Sequence, residues 1–459
     1  MTESCSSHRP GQANTSSSGA TQAAPIAPVV RVAPAARIAW CLYNFGVAAW
    51  PVVIATFVWG TYFSTAILRA PDVGAEEWGE ALSGAGFVVA VLGPVLGAIA
   101  DRTGRRKPWL AVFAAAAVAA TALLWFSVPE PSAAMRTLVL VAFASIAYEF
   151  GLIFYNAMLR DLVPLERLGR LSGWGWGLGY VGGLACLTIA LFALVKAPSP
   201  PFGLGAVPAG PVRATALLVA LWFALFTLPL FFFVPDRVLP PIALGRAVGE
   251  GLKDLGASLR GLMRERNMLR FLLARMVYAD GLNTLFIFGG IYAAGEIGLS
   301  LEEVIRFAIL INASAGAGAL LLAWLDDWIG SKPTIVLSLA ALVALGGAVL
   351  AIHSKPWFWG LGIALGVFVG PAQASSRALM ARMVPPGKET EMFGLYALSG
   401  TITAFVGPAL YGVLSGSFAS QRAGMAVVVA MLALGLALLL TVRAPGSSAA
   451  RAASDLPKL

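Results

Sequence analysis

Residues 154–183 read FYNAMLRDLVPLERLGRLSGWGWGLGYVGG, an apolar stretch followed by a short charged turn and then by a glycine-rich segment that is otherwise apolar. The glycines of this run are Gly173, Gly175, Gly177, Gly179, Gly182 and Gly183. In a helix exposed to water, each glycine costs about 1 kcal/mol relative to alanine. A run of this kind therefore indicates a helix in an environment that favours the absence of side chains.

The composition of the whole chain identifies that environment. Of the 459 residues, 58% are hydrophobic and only 12% are charged, whereas roughly 25% are charged in a typical soluble domain. So few charges cannot cover the water-facing surface of a chain of this length. The composition therefore indicates a membrane protein.

A helix needs about 20 apolar residues to cross the hydrocarbon core of a bilayer. The sequence contains twelve such segments, numbered here spans 1 to 12. They cover residues 38–68, 80–100, 108–128, 137–159, 172–195, 213–234, 269–294, 304–325, 334–352, 357–383, 392–414 and 423–442. The predicted fold is an all-α membrane protein with twelve transmembrane helices.

The net charge of +9 is compatible with a nucleic-acid partner, but its distribution indicates a membrane topology instead. With a cytoplasmic N-terminus, 24 Lys and Arg residues fall on the cytoplasmic side and 7 on the outer side, with Arg275 inside a span. An excess of basic residues in cytoplasmic loops is the positive-inside rule. We therefore expect both termini in the cytoplasm and no nucleic-acid partner.

Catalytic and metal-binding patterns do not occur in the sequence. The three cysteines (Cys5, Cys41 and Cys186) and the two histidines (His8 and His353) show neither a disulfide framework nor a metal-ligand spacing. There is no GxSxG motif and no P-loop. We expect no enzymatic activity, no bound metal and no cofactor.

Internal repeats predict the architecture. Loop 2–3 reads DRTGRRKP from Asp101 and loop 8–9 reads DWIGSKP from Asp327, an offset of 226 residues. Further matches join Val163-Pro164 to Val384-Pro385, offset by 221, and Tyr43 to Tyr278, offset by 235. Three matches in the same order near half the chain length predict two pseudo-symmetric six-helix halves.

These features divide the chain into five regions: a disordered N-terminal tail (1–36), an N-terminal half (37–235), a linker (236–268), a C-terminal half (269–443) and a C-terminal tail (444–459). The tails are polar and carry no signal peptide. The linker places Leu252, Leu255, Leu259 and Leu262 at helical spacing, with basic residues on its other faces. It predicts an amphipathic helix on the cytoplasmic membrane surface, either regulatory or a plain connection.

Two sets of motifs carry a family resemblance. GAIADRTGRRKPWL, residues 97–110, resembles the loop 2–3 signature of the major facilitator superfamily. The opening stretch, GKETEMFGLYALSG from Gly387 and YADGLNTLFIFGGIYAA from Tyr278 are similar to its vacuole-effluxer-like branch, which comprises autophagy-linked vacuolar amino-acid exporters and bacterial relatives. The similarity extends from Trp40 to about Gly416. It implies the major facilitator fold and a place in a bacterial inner (plasma) membrane.

The chain departs from that branch at two motifs. The family's Leu-Tyr-Asp in span 1 is Leu42-Tyr43-Asn44 here, and its Leu-Pro-Asp in loop 4–5 is Leu159-Arg160-Asp161. A role for a span 1 carboxylate is therefore not carried over to this chain.

The glycines of span 5 gain a role from the resemblance. Gly175, Gly179 and Gly183 are four residues apart, so they share one helix face and permit close approach of another helix. In the family's fold, span 5 packs across the seam between the halves, which slides during transport. Static close packing is the alternative explanation.

The loop signature predicts a gate at the cytoplasmic face. Asp101 ends span 2 beside a basic cluster, and its carboxylate can pair with arginine or with the N-terminus of a helix in the other half. The predicted gate consists of Asp101, Gly104, Arg105, Arg106 and Asp327. The alternative is that the basic residues only anchor the topology.

Ionisable side chains inside spans are functional candidates because burial in a bilayer is costly. Glu149 and Asp280 each lie about 15 Å from the cytoplasmic end of their helix, and Arg275 about 9 Å. Spans 1, 4, 7 and 10 line the central cavity in the resembled fold. The candidate residues for solute or proton binding are Tyr43, Asn44, Glu149, Asn156, Arg275, Asp280, Asn283, Gln373 and Arg377. A structural Glu149–Arg275 ion pair is the alternative.

Together, these observations predict a secondary active transporter that moves a small polar solute by alternating access of two rocking halves. The resemblance implies amino-acid export, and the buried acids suggest coupling to a proton gradient. Two alternatives stay open: a membrane sensor or partner-binding subunit on the same scaffold, and a lipid-moving transporter.

Overall fold

The computed structural model describes residues 32–236 and 244–444, in which every regular element is a helix. Twelve helices of this part are long and apolar enough to cross a membrane. Spans 1 to 12 are Pro34–Ile67, Pro71–Thr103, Lys107–Phe126, Pro131–Leu162, Leu165–Val195, Gly210–Phe233, Arg266–Gly295, Glu302–Ile329, Ser331–Ala351, Lys355–Met383, Glu389–Ser417 and Gln421–Leu440. The predicted all-α, twelve-span architecture is confirmed.

Span 2 shows why the predicted bounds are too short. It begins at Pro71, not at residue 80, because the acidic turns that precede its apolar window are also helical. Proline is favoured in the first turn of a helix, where its missing N–H group needs no partner. Apolar composition marks the part of a helix within the bilayer, whereas backbone hydrogen bonding continues the helix beyond it.

Spans 1–6 and 7–12 form the two halves. Loops 2–3, 4–5, 8–9 and 10–11 and the linker between the halves lie at one membrane face, which we call the basic face because most Lys and Arg residues are there. The other end of the bundle is called the opposite face. Arg377, which the charge count placed with loop 10–11, lies inside span 10.

Two spans are irregular along their length. Span 1 changes from α-helix to π-helix over Trp50–Phe57, beginning at Pro51. Span 11 consists of two helices, Glu389–Thr401 and Val406–Ser417, separated by a turn. Irregular backbone at membrane depth occurs where protein or a cavity surrounds it, because lipid offers no hydrogen bonds. Both irregularities therefore mark places where the bundle interior differs from simple helix packing.

The predicted linker helix runs from Leu244 to Arg264. Leu255 and Gly251 face the protein, and a Cβ at Gly251 would lie 3.1 Å from the backbone of Ile99 in span 2. Part of its apolar face thus packs on the bundle, which corrects the prediction of a helix lying on the membrane surface alone. Residues 1–31, 237–243 and 445–459, and the side chains of Leu259 and Leu262, lie outside the described part of the chain.

Large aromatic side chains fill the interior. The indole N–H groups of Trp50 and Trp59 donate to the hydroxyl oxygens of Thr121 and Thr215 at 3.1 and 3.0 Å. A buried tryptophan needs such a partner because its N–H group otherwise remains unsatisfied. On the outside of the bundle the large apolar side chains are exposed, as expected of a surface that contacts lipid; Phe87, Val112, Phe192 and Phe232 are examples.

Candidate functional site

The first feature of the site is a contact between Asp101 at the end of span 2 and the N-terminus of span 11. Its two carboxylate oxygens accept hydrogen bonds from the backbone N–H groups of Thr390 and Glu391 at 3.1 and 2.9 Å. Unpaired N–H groups and the helix dipole favour an anion at this position. Span 2 ends at Gly104, whose φ of 70° places it in the left-handed region that glycine favours.

The second half contains the matching contact. Asp327, at the end of span 8, accepts hydrogen bonds from the backbone N–H and from Nε of Arg170 at 3.0 and 3.1 Å. Arg170 lies in the first turn of the helix Leu168–Ile189 of span 5. Gly330 follows Asp327 by three residues and also has a positive φ, 95°. Each half thus places an aspartate at a helix N-terminus of the other half.

Arg106 connects the two halves at the basic face. Its guanidinium is only 3% exposed and lies 2.7 Å from the carboxylate of Asp161, 2.9 Å from that of Glu389 and 3.4 Å from that of Asp101. Its Nε also donates to the hydroxyl of Thr390 at 3.0 Å. Asp161 ends span 4 and Glu389 begins span 11, so one arginine links four helix ends.

Arg382 has the corresponding place on the second seam, although the sequence analysis did not select it. It lies 2.6 Å from the carboxylate of buried Asp326, and its Nε donates to the carbonyl of Leu165 at 3.1 Å. It therefore connects the basic-face ends of spans 10, 8 and 5. Arg105, by contrast, is exposed and makes no hydrogen bond or ion pair with another described residue. The structure thus removes Arg105 from the predicted gate.

Glycines permit both seams to close. A Cβ at Gly97 would lie 2.5 Å from the carbonyl oxygen of Thr390, and one at Gly394 would lie 2.6 Å from that of Gly93. On the other seam, a Cβ at Gly173 would lie 2.5 Å from that of Ala323. These distances are too short for any side chain, so spans 2 and 11, and spans 5 and 8, approach as closely as their backbones permit.

The span 5 glycines selected from the sequence lie on a different face from the one expected. Gly175, Gly179 and Gly183 contact span 1 of the same half, through Trp40, Asn44 and Ala48 respectively. The seam with span 8 is instead formed by Gly169, Gly173 and Gly177. The two sets differ by two positions, which is about 200° around a helix of 3.6 residues per turn. The seam assignment of the first set is therefore wrong, and static packing describes it.

Beyond the closed seams lies a central cavity of about 320 Å³. Spans 1, 4 and 5 line it from one half and spans 8 and 10 from the other. It adjoins a second cavity of about 810 Å³ in the C-terminal half, since Pro51, Val52, Phe57, Ala308 and Asn312 line both. Volumes of this size are typical of small-molecule sites.

Three of the predicted binding residues line the central cavity: Asn44, Asn156 and Arg377. Asn283 lines the second cavity. Tyr43 does not reach either one, because its buried ring stacks on that of Tyr155 at a centroid distance of 4.8 Å. Gln373 is absent from both linings, and its side-chain oxygen is buried without a hydrogen-bond partner among the described residues.

Glu149 and Arg275 do not form the ion pair considered above. The Nη1 of Arg275 donates to the carbonyl of Tyr396 at 2.6 Å and to the hydroxyl of Ser399 at 2.7 Å. Its guanidinium lies 3.5 Å above the ring centroid of Tyr396. Glu149 is half-buried and has no hydrogen bond or ion pair with another described residue. Arg275 thus joins spans 7 and 11, and Glu149 remains available for another partner.

Asp280 lies at the break in span 11. Its Oδ2 accepts a hydrogen bond from the backbone N–H of Gly407 at 3.0 Å, in the first turn of the helix Val406–Ser417. Its Oδ1 is buried and has no hydrogen-bond partner among the described residues. A buried carboxylate oxygen without a partner is costly when ionised, and protonation removes that cost. The side chain points to span 11 and does not line either cavity.

The sequence analysis missed residues of two kinds. The acids Asp161 and Glu389 lie in loops where charges are common, so composition gave no signal for them. Arg382 had a usable signal, since the offset of 221 that relates Val163 to Val384 also relates it to Asp161. The aromatic residues around Arg377, described below, resembled ordinary core residues. In residues 32–236 and 244–444 no group of three potential metal ligands occurs.

Two family models match the chain. The model described as "Vacuole effluxer Atg22 like" matches residues 163–451. The model of the Major Facilitator Superfamily matches residues 7–187. Together they cover both halves of the bundle.

Curated relatives include a bacterial protein similar along almost its whole length. The uncharacterized MFS-type transporter YxiO of Bacillus subtilis is 25% identical over 428 residues, which is 91% of this chain and 97% of that protein. Autophagy-related protein 22-1 of Aspergillus niger is 24% identical over 300 residues, 61% of this chain and 48% of that protein. The chain thus spans about half the length of this fungal relative.

Solved structures agree with the fold. The proton:xylose symporter XylE superposes with a TM-score of 0.69 at 13% identity, covering 89% of this chain and 95% of that one. The transporter FucP in its outward conformation also gives 0.69, at 15% identity, covering 90% and 99%. At these identities the likeness concerns the fold alone.

Proposed function

Because this chain belongs to the vacuole effluxer Atg22-like family of the major facilitator superfamily, we propose that it exports a small polar solute by proton-coupled alternating access. Members of this superfamily are transporters and not enzymes, and the chain is an integral membrane protein of twelve helices. The substrate, the direction of transport and the coupling are the parts that the following observations support.

One observation carries the proposal: both seams are closed at the basic face while a cavity lies between the halves on the other side of them. Asp101 and Asp327 hold the N-termini of spans 11 and 5, and Arg106 adds three carboxylates. The cavity-lining parts of spans 1 and 8 belong to the halves of these helices nearer the opposite face. This is the arrangement expected of one end state of alternating access.

The reverse state requires both seams to separate. The contacts at the basic face are hydrogen bonds and ion pairs between rigid helix ends, so they break together when the halves rock. A charge at a helix N-terminus contributes about 1–2 kcal/mol in a partly buried site. Contacts of this size stabilise the closed state without preventing its conversion, which is the property that a transport gate requires.

Proton coupling is assigned to Glu149 and Asp280. Removal from water disfavours the charged form of a carboxylate, and neither acid has an ion-pair partner among the described residues. Asp280 also contacts the break in span 11, whose first helix is held by Asp101. A proton on Asp280 therefore changes the charge at the same broken helix that closes the basic face.

The orientation follows from the distribution of charge. We place the basic face in the cytoplasm, together with both termini, because Lys and Arg are concentrated there. The structure then corresponds to an outward-open state. The similarity to a Bacillus subtilis transporter over 91% of the chain supports a bacterial plasma membrane, and the description of the family as vacuole effluxers supports export, with amino acids as the first substrates to test.

The proposal is tested with purified protein in proteoliposomes. Isotope-labelled solute mixtures are offered with and without a pH gradient, and we expect accumulation of at least one solute that depends on the gradient. The variants Asp101→Asn and Asp327→Asn should populate the state that is open at the basic face about 5- to 30-fold more, the ratio that corresponds to 1–2 kcal/mol.

That conformational change is measured as the distance between spin labels on Arg105→Cys and Pro386→Cys, two exposed positions on opposite halves of the basic face. Asp72→Asn, an exposed acid at the far end of span 2, is the matched control. A folded protein that transports no solute and keeps one label distance in all variants would contradict the proposal. It would favour a sensor or a partner-binding subunit on the same scaffold.

A further inference from the structure

Arg377 of span 10 lies at the wall of the central cavity and is held there by neutral partners. Its guanidinium is 3% exposed. Its Nε donates to the hydroxyl of Ser172 at 2.9 Å, its Nη2 to the carbonyl of the same residue at 2.7 Å, and its Nη1 to the amide oxygen of Asn156 at 3.1 Å. These bonds fix the position of the guanidinium between spans 4, 5 and 10.

Aromatic rings enclose the same group. The guanidinium carbon lies 4.9 Å from the ring centroid of Trp40, 5.6 Å from that of Tyr155 and 5.7 Å from that of Trp176. Ring faces attract a cation and exclude water from it. The cage therefore orients the arginine without neutralising its charge.

The charge of Arg377 has no acidic partner in the described part of the chain. No Asp or Glu there lies within 4.0 Å of its guanidinium. Arg106, equally buried, has three carboxylates around it. Buried charges are almost always paired, because an unpaired one loses its hydration without compensation. An arginine has five N–H groups, of which three are used here, so two remain for a ligand.

The lining of the cavity indicates which ligand group completes this arrangement. Arg377 is the one charged side chain in it, and the amides of Asn44, Asn156 and Asn312 are the other strongly polar groups. The adjoining cavity of about 810 Å³ contains no charged side chain and is mostly aliphatic and aromatic. The walls thus offer one cationic group for a head and an apolar volume for a body.

We propose that Arg377 binds the carboxylate of the transported solute, and that the solute class is the amphiphilic organic anion whose apolar part lies in the adjoining cavity. The planar fork of a guanidinium matches the two oxygens of a carboxylate. An amino group on the solute is not required, because neither cavity wall carries an acid to bind it. This inference rests on the proposed transport function and names the chemistry of its substrate.

The test uses three small probes of the same shape: 4-methylpentanoate, its neutral amide 4-methylpentanamide and the cationic 4-methylpentylamine. Binding to the full-length protein in nanodiscs is measured by quenching of tryptophan fluorescence, since Trp40 and Trp176 lie beside Arg377. We expect the carboxylate to bind about 10-fold or more tightly than the amide, as hydrogen bonds to a charged group contribute more than neutral ones. The amine should not bind measurably.

Two variants separate the role of the arginine from a structural one. Arg377→Lys keeps the charge and loses the fork, so the affinity for the carboxylate should fall while its preference over the amide remains. Arg377→Gln should bind carboxylate and amide equally. Lys196→Gln, which removes an exposed charge at the opposite face, is the control and should behave as the unmodified chain.

The proposal is overturned if the carboxylate does not bind, if the amide binds as tightly, or if Arg377→Gln keeps the preference for the carboxylate. Binding is measured without a gradient. Failure here therefore differs from failure of the proposed function, in which the vesicle assay detects no transport of any solute.

Discussion

Asp101 and Asp327 occupy equivalent positions 226 residues apart, and each accepts a hydrogen bond from a backbone N–H in the first turn of a helix in the other half. The repeat in the sequence is thus a repeat of one contact. Because each contact crosses the bundle, the two seams close together. The free energy that holds the basic face shut is shared between them.

The arginine next to this contact is expected to contribute most of the polar stabilisation. Arg106→Gln leaves three buried carboxylates without their cation, and removal of one partner from a buried ionic network costs about 3–5 kcal/mol. Arg105→Gln changes the neighbouring exposed residue, and its effect should stay within about 0.5 kcal/mol. Thermal unfolding in detergent compares the two variants. Equal midpoints would show that the Arg106 network does not stabilise this state.

The seam between spans 2 and 11 should depend on Gly97. In Gly97→Ala the new Cβ would lie 2.5 Å from the carbonyl oxygen of Thr390, so the seam cannot close and the basic face should open. Gly84→Ala on the same span is the control, as no atom lies within 4 Å of the added Cβ. The spin-label distance between residues 105 and 386 should increase in the first variant and remain unchanged in the second. An unchanged distance in both would mean that the seam adapts by moving span 11.

Coupling to protons is expected to require the two buried acids. Glu149→Gln and Asp280→Asn imitate the protonated side chains, and either should abolish accumulation driven by a pH gradient. In Asp280→Asn the amide oxygen can still accept from Gly407, so the fold at the break in span 11 should be preserved. Exchange of solute without a gradient should survive in at least one variant, because exchange needs the cavity and not proton release.

The measurement is accumulation in proteoliposomes as a function of external pH. The exposed acid Glu76, changed to Gln, serves as the control. If both buried variants still concentrate solute with the pH dependence of the unmodified protein, Glu149 and Asp280 have structural roles only.

The orientation in the membrane is tested by cysteine labelling of intact cells. A cysteine at Gly205, exposed in loop 5–6, should react with a membrane-impermeant reagent added outside. A cysteine at Ala257, exposed on the linker helix, should react only after the membrane is opened. The opposite pattern would reverse the assignment of the basic face and make the structure an inward-open state.

Several features could be derived from the sequence because they depend on local chemistry. The number of spans follows from the length of apolar segments, and the two halves follow from the repeats around Asp101 and Asp327. The turn after each of these residues also follows, because only glycine adopts the positive φ of Gly104 and Gly330 without strain. None of these features requires knowledge of which helix neighbours which.

Other features depended on helix rotation and on distant neighbours. Whether Gly173 or Gly175 faces the seam is a matter of about 200° around one helix, and composition is the same on both faces. The partners of Arg106 come from spans 2, 4 and 11, which no local pattern relates.

Arg377 shows the division most clearly. The sequence placed a cation inside span 10, and its cost in a bilayer marked it as a functional candidate. Only the tertiary structure decided that its neighbours are Ser172, Asn156 and three aromatic rings, with no acid among them. The physical reason is that charge and hydrophobicity belong to single residues, whereas the compensation of a charge is a property of whatever folding brings within a few ångströms of it.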